Sequence, residues 1–383
     1  MEPLADAAFL DDEHRIFRTQ IRRFVQDRLA PHVDKWEQAK EFPRTLYTAF
    51  ADAGYLGVGF PEQYGGAGGD LLHVLIMTEE LTRSGSPGLA AGLGSLAIAI
   101  PPIVNAGTEE QKQRWLPKVL SGEWVSALAV TEPSTGSDVA SVRTKAVRDG
   151  DEYVINGSKT FITSGARADY ITAVVRTGGE GMGGVSLIGI ETARPGFSVG
   201  RTLDKMGWHA SDTAELFFED LRVPADNLIG VENGGFLVLM QNFAGERLVL
   251  AAQAVAIAEM AFEATLEYVQ QREAFGRAIV GFQVSRHKLA EMATGIDVCR
   301  TYVYTLASRI MAGDLLIKEV AMAKNAATDM ASRVVDQAVQ LHGGYGYMRE
   351  YLVERLYRDI RLYPIGGGTR EIMNEIIAKQ LGL

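Results

Sequence analysis

The chain has 383 residues, of which 47% are hydrophobic and 22% charged, an ordinary globular composition with more chain than one core usually serves. We therefore expect two or three domains. The formal charge of −10 and the absence of a cluster of Lys and Arg disfavour a nucleic-acid partner.

The single cysteine, Cys299, excludes an internal disulfide and a thiolate metal cluster, and it is predicted to be a buried, inert thiol in a reducing compartment. Six scattered histidines show no metal-ligand spacing, so no metal is expected. Neither a signal peptide nor a transit peptide is visible, and no uninterrupted apolar stretch reaches the roughly 20 residues of a membrane span. The sequence therefore predicts a cytoplasmic protein with no membrane partner.

The first predicted domain, residues 1–124, has a helical pattern. Apolar residues such as Ile16 and Ile21 recur at mixed three- and four-residue spacing along it. Residues 60–70 have the composition of a loop. Thr108 is placed to cap a helix whose first turn is acidic.

The second predicted domain, residues 125–233, consists of short segments rich in β-branched and aromatic residues, separated by turn signals. These segments are typical of strands. Asp149-Gly150 and Asn156-Gly157 are the strongest hairpin signals, although each also fits an ordinary loop.

The third predicted domain, residues 234–383, returns to helices. A stretch that begins near Gly235 is long enough for about ten turns of helix, and Gly245 is the only glycine within it. Segments 283–311 and 314–342 also have a helical pattern. The predicted fold is therefore mostly α with a central β domain.

Three consecutive glycines, Gly366 to Gly368, followed by Thr369, resemble a phosphate loop. The Gly-Lys-Ser/Thr of a P-loop does not follow, so that reading fails. A nucleophile-elbow motif and a dinucleotide-binding glycine fingerprint are also missing, which disfavours hydrolase and Rossmann readings.

Five segments in order resemble the acyl-CoA dehydrogenase family, and the resemblance covers about residues 10–380. It implies an N-terminal helical domain, a middle β barrel-like domain and a C-terminal four-helix bundle, assembled as a dimer of dimers with FAD between subunits. The segments are AVTEPSTGSDVAS (129–141), GSKTFITSGARAD (157–169), MGWHASDTAELFFEDLRVP (206–224), QQREAFGRAIVGFQ (270–283) and QLHGGYGYMREYLVERLYRDIRLYPIGGGTREI (340–372).

The same resemblance implies the residues that bind FAD. Those that line the flavin ring are Thr131, Ser137, Phe161 and Thr163; those that reach across the subunit boundary to the adenosine and pyrophosphate are Arg272, Phe275, Gln340, Gly343 and Gly344; and those of the C-terminal loop are Thr369 and Glu371. Each threonine also fits a cap or turn hydroxyl, and the Gly343-Gly344 pair also fits a helix C-cap.

In many family members, the residue before the Gly-Thr of that loop is the glutamate that removes the α-proton. This chain has Gly367 there. A smaller group, resembling isovaleryl-CoA and long-chain acyl-CoA dehydrogenases, carries the carboxylate on the long helix, where this chain has Glu246 beside Arg247. We assign Glu246 as the base and Gly367 as a catalytic backbone donor, with Arg247 and Ser137 binding substrate.

The spacing of apolar residues supports Glu246 independently. Leu239, Phe243, Glu246 and Leu250 share one helix face, so this carboxylate lies on an apolar stripe where burial would raise its pKa. A solvated or ion-paired glutamate is the alternative. The N–H of Gly367 can stabilise charge on a thioester carbonyl, and its missing side chain leaves room for a long or branched acyl group.

The implied function is FAD-dependent dehydrogenation of an acyl-CoA to its trans-2-enoyl form, with Glu246 taking the α-proton, flavin N5 the β-hydride, and an electron-transfer flavoprotein the electrons. Three alternatives stay open. The chain could act on an acyl or prolyl group tethered to a carrier protein, could be an oxygen-using flavoenzyme, or could be a non-catalytic relative that binds nucleic acid, which the net charge disfavours.

Overall fold

The computed structural model describes residues 4–383 and, within them, every side chain except that of residue 244. Its helices and strands follow the predicted order of helices, a β region and long helices, which confirms the fold class. The N-terminal helices are α1 Leu4–Phe9, α2 Asp12–Phe24, α3 Val33–Ala39, α4 Thr45–Asp52, α5 Leu71–Thr82, α6 Pro87–Leu93, α7 Leu96–Ala99, α8 Pro101–Ala106 and α9 Glu109–Leu120.

Side-chain caps begin several of these helices. The predicted cap at Thr108 is confirmed: its hydroxyl accepts from the N–H of Gln111, whose side chain in turn accepts from the N–H of Thr108. Asp70 caps α5 in the same way. Of the two isoleucines in the helical pattern, Ile21 is fully buried, whereas Ile16 lies on the solvent face of α2.

The central region is one eight-stranded sheet. Its strands are β1 Ser126–Ala129, β2 Lys145–Asp149, β3 Glu152–Thr163, β4 Tyr170–Arg176, β5 Val185–Glu191, β6 Phe197–Thr202, β7 Thr213–Pro224 and β8 Leu228–Ile229. Seven of them are hydrogen-bonded in the order β6-β7-β3-β2-β4-β5-β8, and β1 pairs in parallel with β4. The inner face of the sheet forms a hydrophobic core of its own.

The two hairpin signals have different outcomes. Asp149-Gly150 begins the tight turn between β2 and β3, with Gly150 at φ 62°. The hairpin at Asn156-Gly157 is wrong, because both residues lie inside β3, where the pairing with β7 shifts register. A Cβ on Gly157 would meet Thr144 Oγ1 at 2.6 Å, so the glycine allows two backbones to approach closely.

The C-terminal region contains the long helices and a small hairpin of β9 Glu273–Ala274 and β10 Arg277–Ala278. Helix α12 packs against α10, α11, α13 and α14. The helices are α10 Gly235–Gln271, α11 Gln283–Met311, α12 Ile317–His342, α13 Leu352–Ile360 and α14 Arg370–Gln380. Helix α10 is long and apolar enough to cross a membrane, but 67% of its most apolar window is buried inside the protein, as in a core helix. Cys299 on α11 is buried, as predicted.

A buried ionic network joins the N-terminal helices to the C-terminal ones. Arg18 on α2 donates to Asp6 on α1 and, at 2.8 Å, to Glu79 on α5. Arg300 on α11 donates to the other carboxylate oxygen of Asp6 at 2.7 Å, and Tyr304 donates to Glu79 at 2.9 Å. Each of these buried charges has an opposite charge beside it, which offsets the cost of removing it from water. We call these five residues the N-terminal network.

Candidate active site and cofactor cleft

Glu246 lies in the fourth turn of α10 and faces the loop between α13 and α14. The Cβ that Gly367 lacks would lie 3.4 Å from Glu246 Oε1 and 2.5 Å from Leu250 Cδ1. Two residues of the predicted apolar stripe therefore meet the glycine loop. Within the part of the chain that the structure describes, the Glu246 carboxylate has no hydrogen bond and no ion pair.

The glycine loop, residues 366–368, has a backbone that ordinary side chains resist. Gly367 has φ 65° and Gly368 has φ 95°, both in the left-handed region, whereas Gly366 does not. Arg247 Nε donates to the carbonyl of Gly367 at 3.2 Å. The N–H of Gly367 has no acceptor among residues 4–383 and is free to bind a ligand.

A second cation reaches the same loop from α12. Lys324 is fully buried, and its Nζ donates to the carbonyl of Gly368 at 2.5 Å. Its Cε lies 3.7 Å from the Cβ position of Gly367, so Lys324, Glu246 and the loop form one contact group. Sequence reasoning missed Lys324, which lies among buried alanines on a helix with no motif around it.

The proton affinities in this group are displaced from their usual values. Glu246 keeps some accessible surface, yet the protein atoms around it exclude bulk water, and this desolvation raises its pKa to about 7, although Arg247 and Lys324 lower it. Burial, with repulsion from Arg247, lowers the pKa of Lys324 to about 8. A carboxyl group that titrates near neutrality is suited to accepting a proton.

The residues predicted to line the flavin ring come from two segments that the structure joins. The N–H of Thr160 donates to the carbonyl of Thr131 at 2.9 Å, which brings Thr131 beside the end of β3. Buried Lys159 fastens the same segment by donating to the Val130 carbonyl and to Glu132, both at 2.8 Å. Sequence reasoning did not single out Lys159.

Three of these predicted side chains remain available to a ligand. The hydroxyls of Thr131, Thr163 and Ser137 have no hydrogen-bond partner within the described chain. Phe161 is 67% exposed with φ 61°, a conformation that costs a bulky residue about 1–3 kcal/mol. An exposed aromatic ring in a strained backbone indicates a position shaped by something other than this chain's own packing.

A cleft of about 480 Å³ opens at the C-terminal end of α10 and α12. The predicted residues Arg272, Gly343 and Gly344 line it. A Cβ on either glycine would meet nothing within 4 Å, so open space adjoins bare backbone. The other lining residues, which sequence reasoning missed, are Tyr268, Ile279, Leu341, His342, Tyr345 and Met348.

Aromatic rings form one wall of this cleft. Tyr268 stacks on His342 with ring centres 4.2 Å apart, and its hydroxyl donates to the His342 carbonyl at 3.2 Å. The guanidinium of Arg272 lies 5.7 Å from the centre of the Tyr345 ring. The wall therefore offers flat rings, and Arg272 offers a positive charge.

Besides the four residues predicted to line the flavin ring, four other predicted cofactor residues lie outside this cleft. Phe275 at the tip of the β9–β10 hairpin is 96% exposed with φ 54°, and Gln340 is exposed on α12. The Thr369 hydroxyl caps α14 by accepting from the N–H of Ile372, and Glu371 is exposed in the first turn of that helix. No hydrogen bond or ion pair of the described chain links the cleft residues to Thr131, Phe161 or Thr163.

Three family models match consecutive parts of the chain. They are the acyl-CoA dehydrogenase N-terminal domain over residues 11–123, the middle domain over residues 127–221 and the C-terminal domain over residues 233–382. The chain belongs to the acyl-CoA dehydrogenase family. It is therefore a flavoprotein oxidoreductase by family, as the sequence predicted.

Relatives of this acyl-CoA dehydrogenase match along nearly all of its length. The long-chain specific acyl-CoA dehydrogenase of Rattus norvegicus is 43% identical over 96% of this chain and 86% of its own, and the isovaleryl-CoA dehydrogenase of Solanum tuberosum is 40% identical over 97% and 91%. A solved structure, a probable acyl-CoA dehydrogenase from Mycobacterium abscessus, is 50% identical with TM-score 0.96 and covers 98% of this chain and all of its own.

Two further solved structures also match nearly the whole chain. A glutaryl-CoA dehydrogenase from Mycobacterium smegmatis in complex with FADH2 is 28% identical, with TM-score 0.92 over 98% of this chain and 96% of its own. A structure described as an electron transferring flavoprotein of Acidaminococcus fermentans is 39% identical, with TM-score 0.94 over 97% and 98%.

The residues present in this acyl-CoA dehydrogenase fit FAD. The hydroxyls of Thr131 and Thr163, which have no partner among the described residues, are suited to donate hydrogen bonds to a flavin ring. In the cleft, the Arg272 cation and the bare backbone of Gly343 and Gly344 suit a pyrophosphate, and the aromatic wall suits a nucleoside.

Proposed function

We propose that this acyl-CoA dehydrogenase removes the α-proton of a saturated acyl-CoA thioester with Glu246 and forms the trans-2-enoyl-CoA. One observation carries the proposal: Glu246 Oε1 lies 3.4 Å from the place where a side chain at position 367 would begin. A carboxylate on α10 thus reaches the space that a loop carboxylate would otherwise fill.

The surroundings of Glu246 support its role as the base. Its pKa of about 7 leaves an appreciable carboxylate fraction at neutral pH and still gives it useful affinity for a proton. Because no other described group engages the carboxylate, a substrate α-proton meets no competitor there.

The free N–H of Gly367 supports a second role in the same step. Negative charge develops on the thioester carbonyl as the α-proton leaves, and a donor already aimed at that oxygen stabilises it. Arg247 holds the Gly367 carbonyl and so helps fix this loop. We retain Arg247 and Ser137 as proposed substrate-binding residues.

FAD, when bound, supplies the two-electron acceptor for the hydrogen that leaves the β-carbon. We propose that Thr131, Ser137, Phe161 and Thr163 hold its ring side. The remaining proposed FAD contacts are Arg272, Phe275, Gln340, Gly343, Gly344, Thr369 and Glu371.

The acyl group that we propose is long or branched. Gly367 contributes no side chain to the site, and the relatives named for long-chain acyl-CoA and isovaleryl-CoA are among the similar proteins.

We further propose that the active form is a homo-oligomer, a dimer of dimers, in which the cleft serves the FAD of a partner subunit. Tyr268 in the cleft wall follows Glu246 by 22 residues along α10, about 33 Å at the rise of an α-helix. This separation within one chain supports two different cofactors. Domain bounds of 1–124, 125–233 and 234–383, a cytoplasmic location and an electron-transfer flavoprotein as acceptor complete the proposal.

The test is anaerobic mixing of the FAD-loaded protein with saturated acyl-CoA thioesters of graded length and branching, followed by the visible flavin band. We expect long or branched thioesters to bleach the band fastest. If no free thioester bleaches it while a loaded acyl carrier protein does, the proposed CoA substrate is wrong.

A further inference from the structure

Lys324 is the charged residue of the candidate active site to which the proposed reaction gives no part. Its side chain is fully buried on α12, and it forms no ion pair within the described residues. Burying an ammonium group without a carboxylate partner is costly. Its one hydrogen bond goes to the Gly368 carbonyl, so the fold places this charge against the glycine loop.

Two cations hold two consecutive carbonyls of this loop. Arg247 on α10 binds the carbonyl of Gly367, and Lys324 on α12 binds that of Gly368. In a planar trans peptide, the N–H points opposite to the carbonyl, so the N–H groups of the next two residues turn away from the cations. Because glycine backbone is otherwise permissive, these two bonds restrict the loop's orientation.

The same two cations are the charged groups that lie against Glu246. Arg247 comes from α10 and Lys324 from α12, whereas the glycine loop contributes only backbone. Both cations favour the carboxylate form of Glu246 and oppose the effect of burial. Arg247 donates to the Gly367 carbonyl and lies 5.7 Å from the centre of the Phe243 ring on its own helix, while Lys324 adds its charge from a separate helix.

On the basis of the proposed function, we propose that Lys324 is a positioning residue that anchors the glycine loop through the Gly368 carbonyl and keeps Glu246 in its proton-accepting form. It touches neither reacting atom. Its effect reaches the substrate through the loop and through Glu246.

The first test compares Lys324→Met, a neutral side chain of similar length, with wild type across pH. Removing the cation raises the pKa of Glu246, so the acid limb of kcat/KM moves to higher pH by about one unit. The activity then falls about fivefold at pH 7 and recovers above about pH 9. Lys318→Met is the matched control, because Lys318 lies on the same helix and, among the described residues, forms an ion pair only with Glu319, at 3.3 Å.

Lys324→Arg separates charge from shape. It keeps a cation beside Glu246 but cannot reproduce the single point contact of an ammonium. We expect its acid limb to stay at the wild-type pH even where its overall rate is lower. A limb that shifts equally in the Arg and Met variants contradicts the electrostatic part of the proposal.

A second readout does not depend on turnover. We expect amide hydrogen exchange in the peptide 362–372 of the FAD-loaded, substrate-free enzyme to accelerate in Lys324→Met and to stay unchanged in Lys318→Met. Unchanged exchange, or a uniform loss of activity with an unmoved acid limb, would overturn the proposal. Failure of the proposed function would appear elsewhere, as full activity of Glu246→Gln, and the exchange result would still report on Lys324.

Discussion

The N-terminal network and the group around Glu246 both bury several charges, but they differ in how those charges are paired. In the network, Arg300 contacts Asp6 at 2.7 Å, and it also contacts the neighbouring Glu259 at 2.7 Å. Burial opposes ionisation, yet neighbouring carboxylates raise the pKa of Arg300, and the two arginines lower that of Asp6. Around Glu246, no ion pair forms, and pKa values of about 7 and about 8 appear.

This difference indicates that the buried charges of the N-terminal network stabilise the fold, whereas those around Glu246 are suited to chemistry. In the network, opposite charges on neighbouring helices keep Arg18, Arg300 and Asp6 ionised and tie the helices together, although burial raises the pKa of Glu79. Incomplete pairing leaves a carboxyl and an ammonium group able to exchange protons near neutral pH, which is where catalytic groups are usually found.

The change with the largest expected effect is Glu246→Gln, which removes the proton acceptor. We expect FAD binding to persist and the rate of flavin reduction by acyl-CoA to fall about 10²- to 10⁴-fold. In the wild type, the rate should rise with pH through about 7, because the acceptor must be deprotonated. Stopped-flow flavin absorbance across pH measures both.

The matched control is Glu267→Gln, on the exposed face of the same helix, which should leave the rate unchanged. If Glu246→Gln reduced flavin at the wild-type rate, the chemical reading of this group would be wrong. The group around Glu246 would then no longer differ from the N-terminal network by having a role in the reaction.

The network should show the opposite behaviour, with stability changing more than chemistry. Arg300→Met removes the cation that contacts Asp6, Glu79 and Glu259 together, so Asp6 and Glu79 keep only Arg18 as a cationic partner among the described residues, and breaking a buried pair costs about 3–5 kcal/mol. Urea unfolding of the FAD-loaded enzyme should show this loss. Arg309→Met, on the same helix but in a half-exposed pair with Asp314, should cost less than about 1 kcal/mol.

Equal losses of stability in these two arginine variants would mean that burial contributes nothing to the network. A loss of kcat in Arg300→Met with its stability intact would place the network in the reaction. Either result would remove the contrast between the two charge groups.

The smallest expected effect concerns the loop backbone itself. Gly367→Ala puts a side chain at φ 65° and brings its Cβ within 2.5 Å of Leu250 Cδ1, at a cost of about 1–3 kcal/mol. Gly366→Ala is the neighbour control, since its Cβ would meet nothing closer than 3.7 Å, and it should change stability by less than about 0.5 kcal/mol. Unfolding midpoints that match each other would show that the loop tolerates side chains at both positions.

Local patterns predicted much of the fold. The segment 283–311 is α11 residue for residue, and Thr108 caps its helix, because periodicity and capping are properties of neighbouring residues. The hairpin predicted at Asn156-Gly157 is wrong, because a glycine that tolerates unusual backbone angles occurs both in tight turns and in β-bulges. Contacts outside the local sequence distinguish them, because Gly157 pairs with Phe218 of β7 and its missing Cβ leaves room for Thr144.

In the candidate site too, local sequence patterns predicted one residue, and the packing of distant segments determines another. The stripe spacing placed Glu246 on an apolar face, and the structure brings that face to Gly367. Lys324 lies 78 positions beyond Glu246, on a helix whose local pattern shows only a lysine among alanines. Its contact with the Gly368 carbonyl depends on how α10, α12 and the loop pack together, and no window of sequence contains all three.

The length of α10 has a consequence for how the enzyme behaves on dilution. One rigid helix keeps the proton acceptor and the aromatic cleft about 33 Å apart in each chain. If the cleft binds a partner's cofactor, then a single subunit has one part of each of two FAD sites and no complete FAD site. Cofactor release and subunit separation then become one equilibrium governed by mass action, so bound FAD stabilises the assembly as much as the assembly retains FAD.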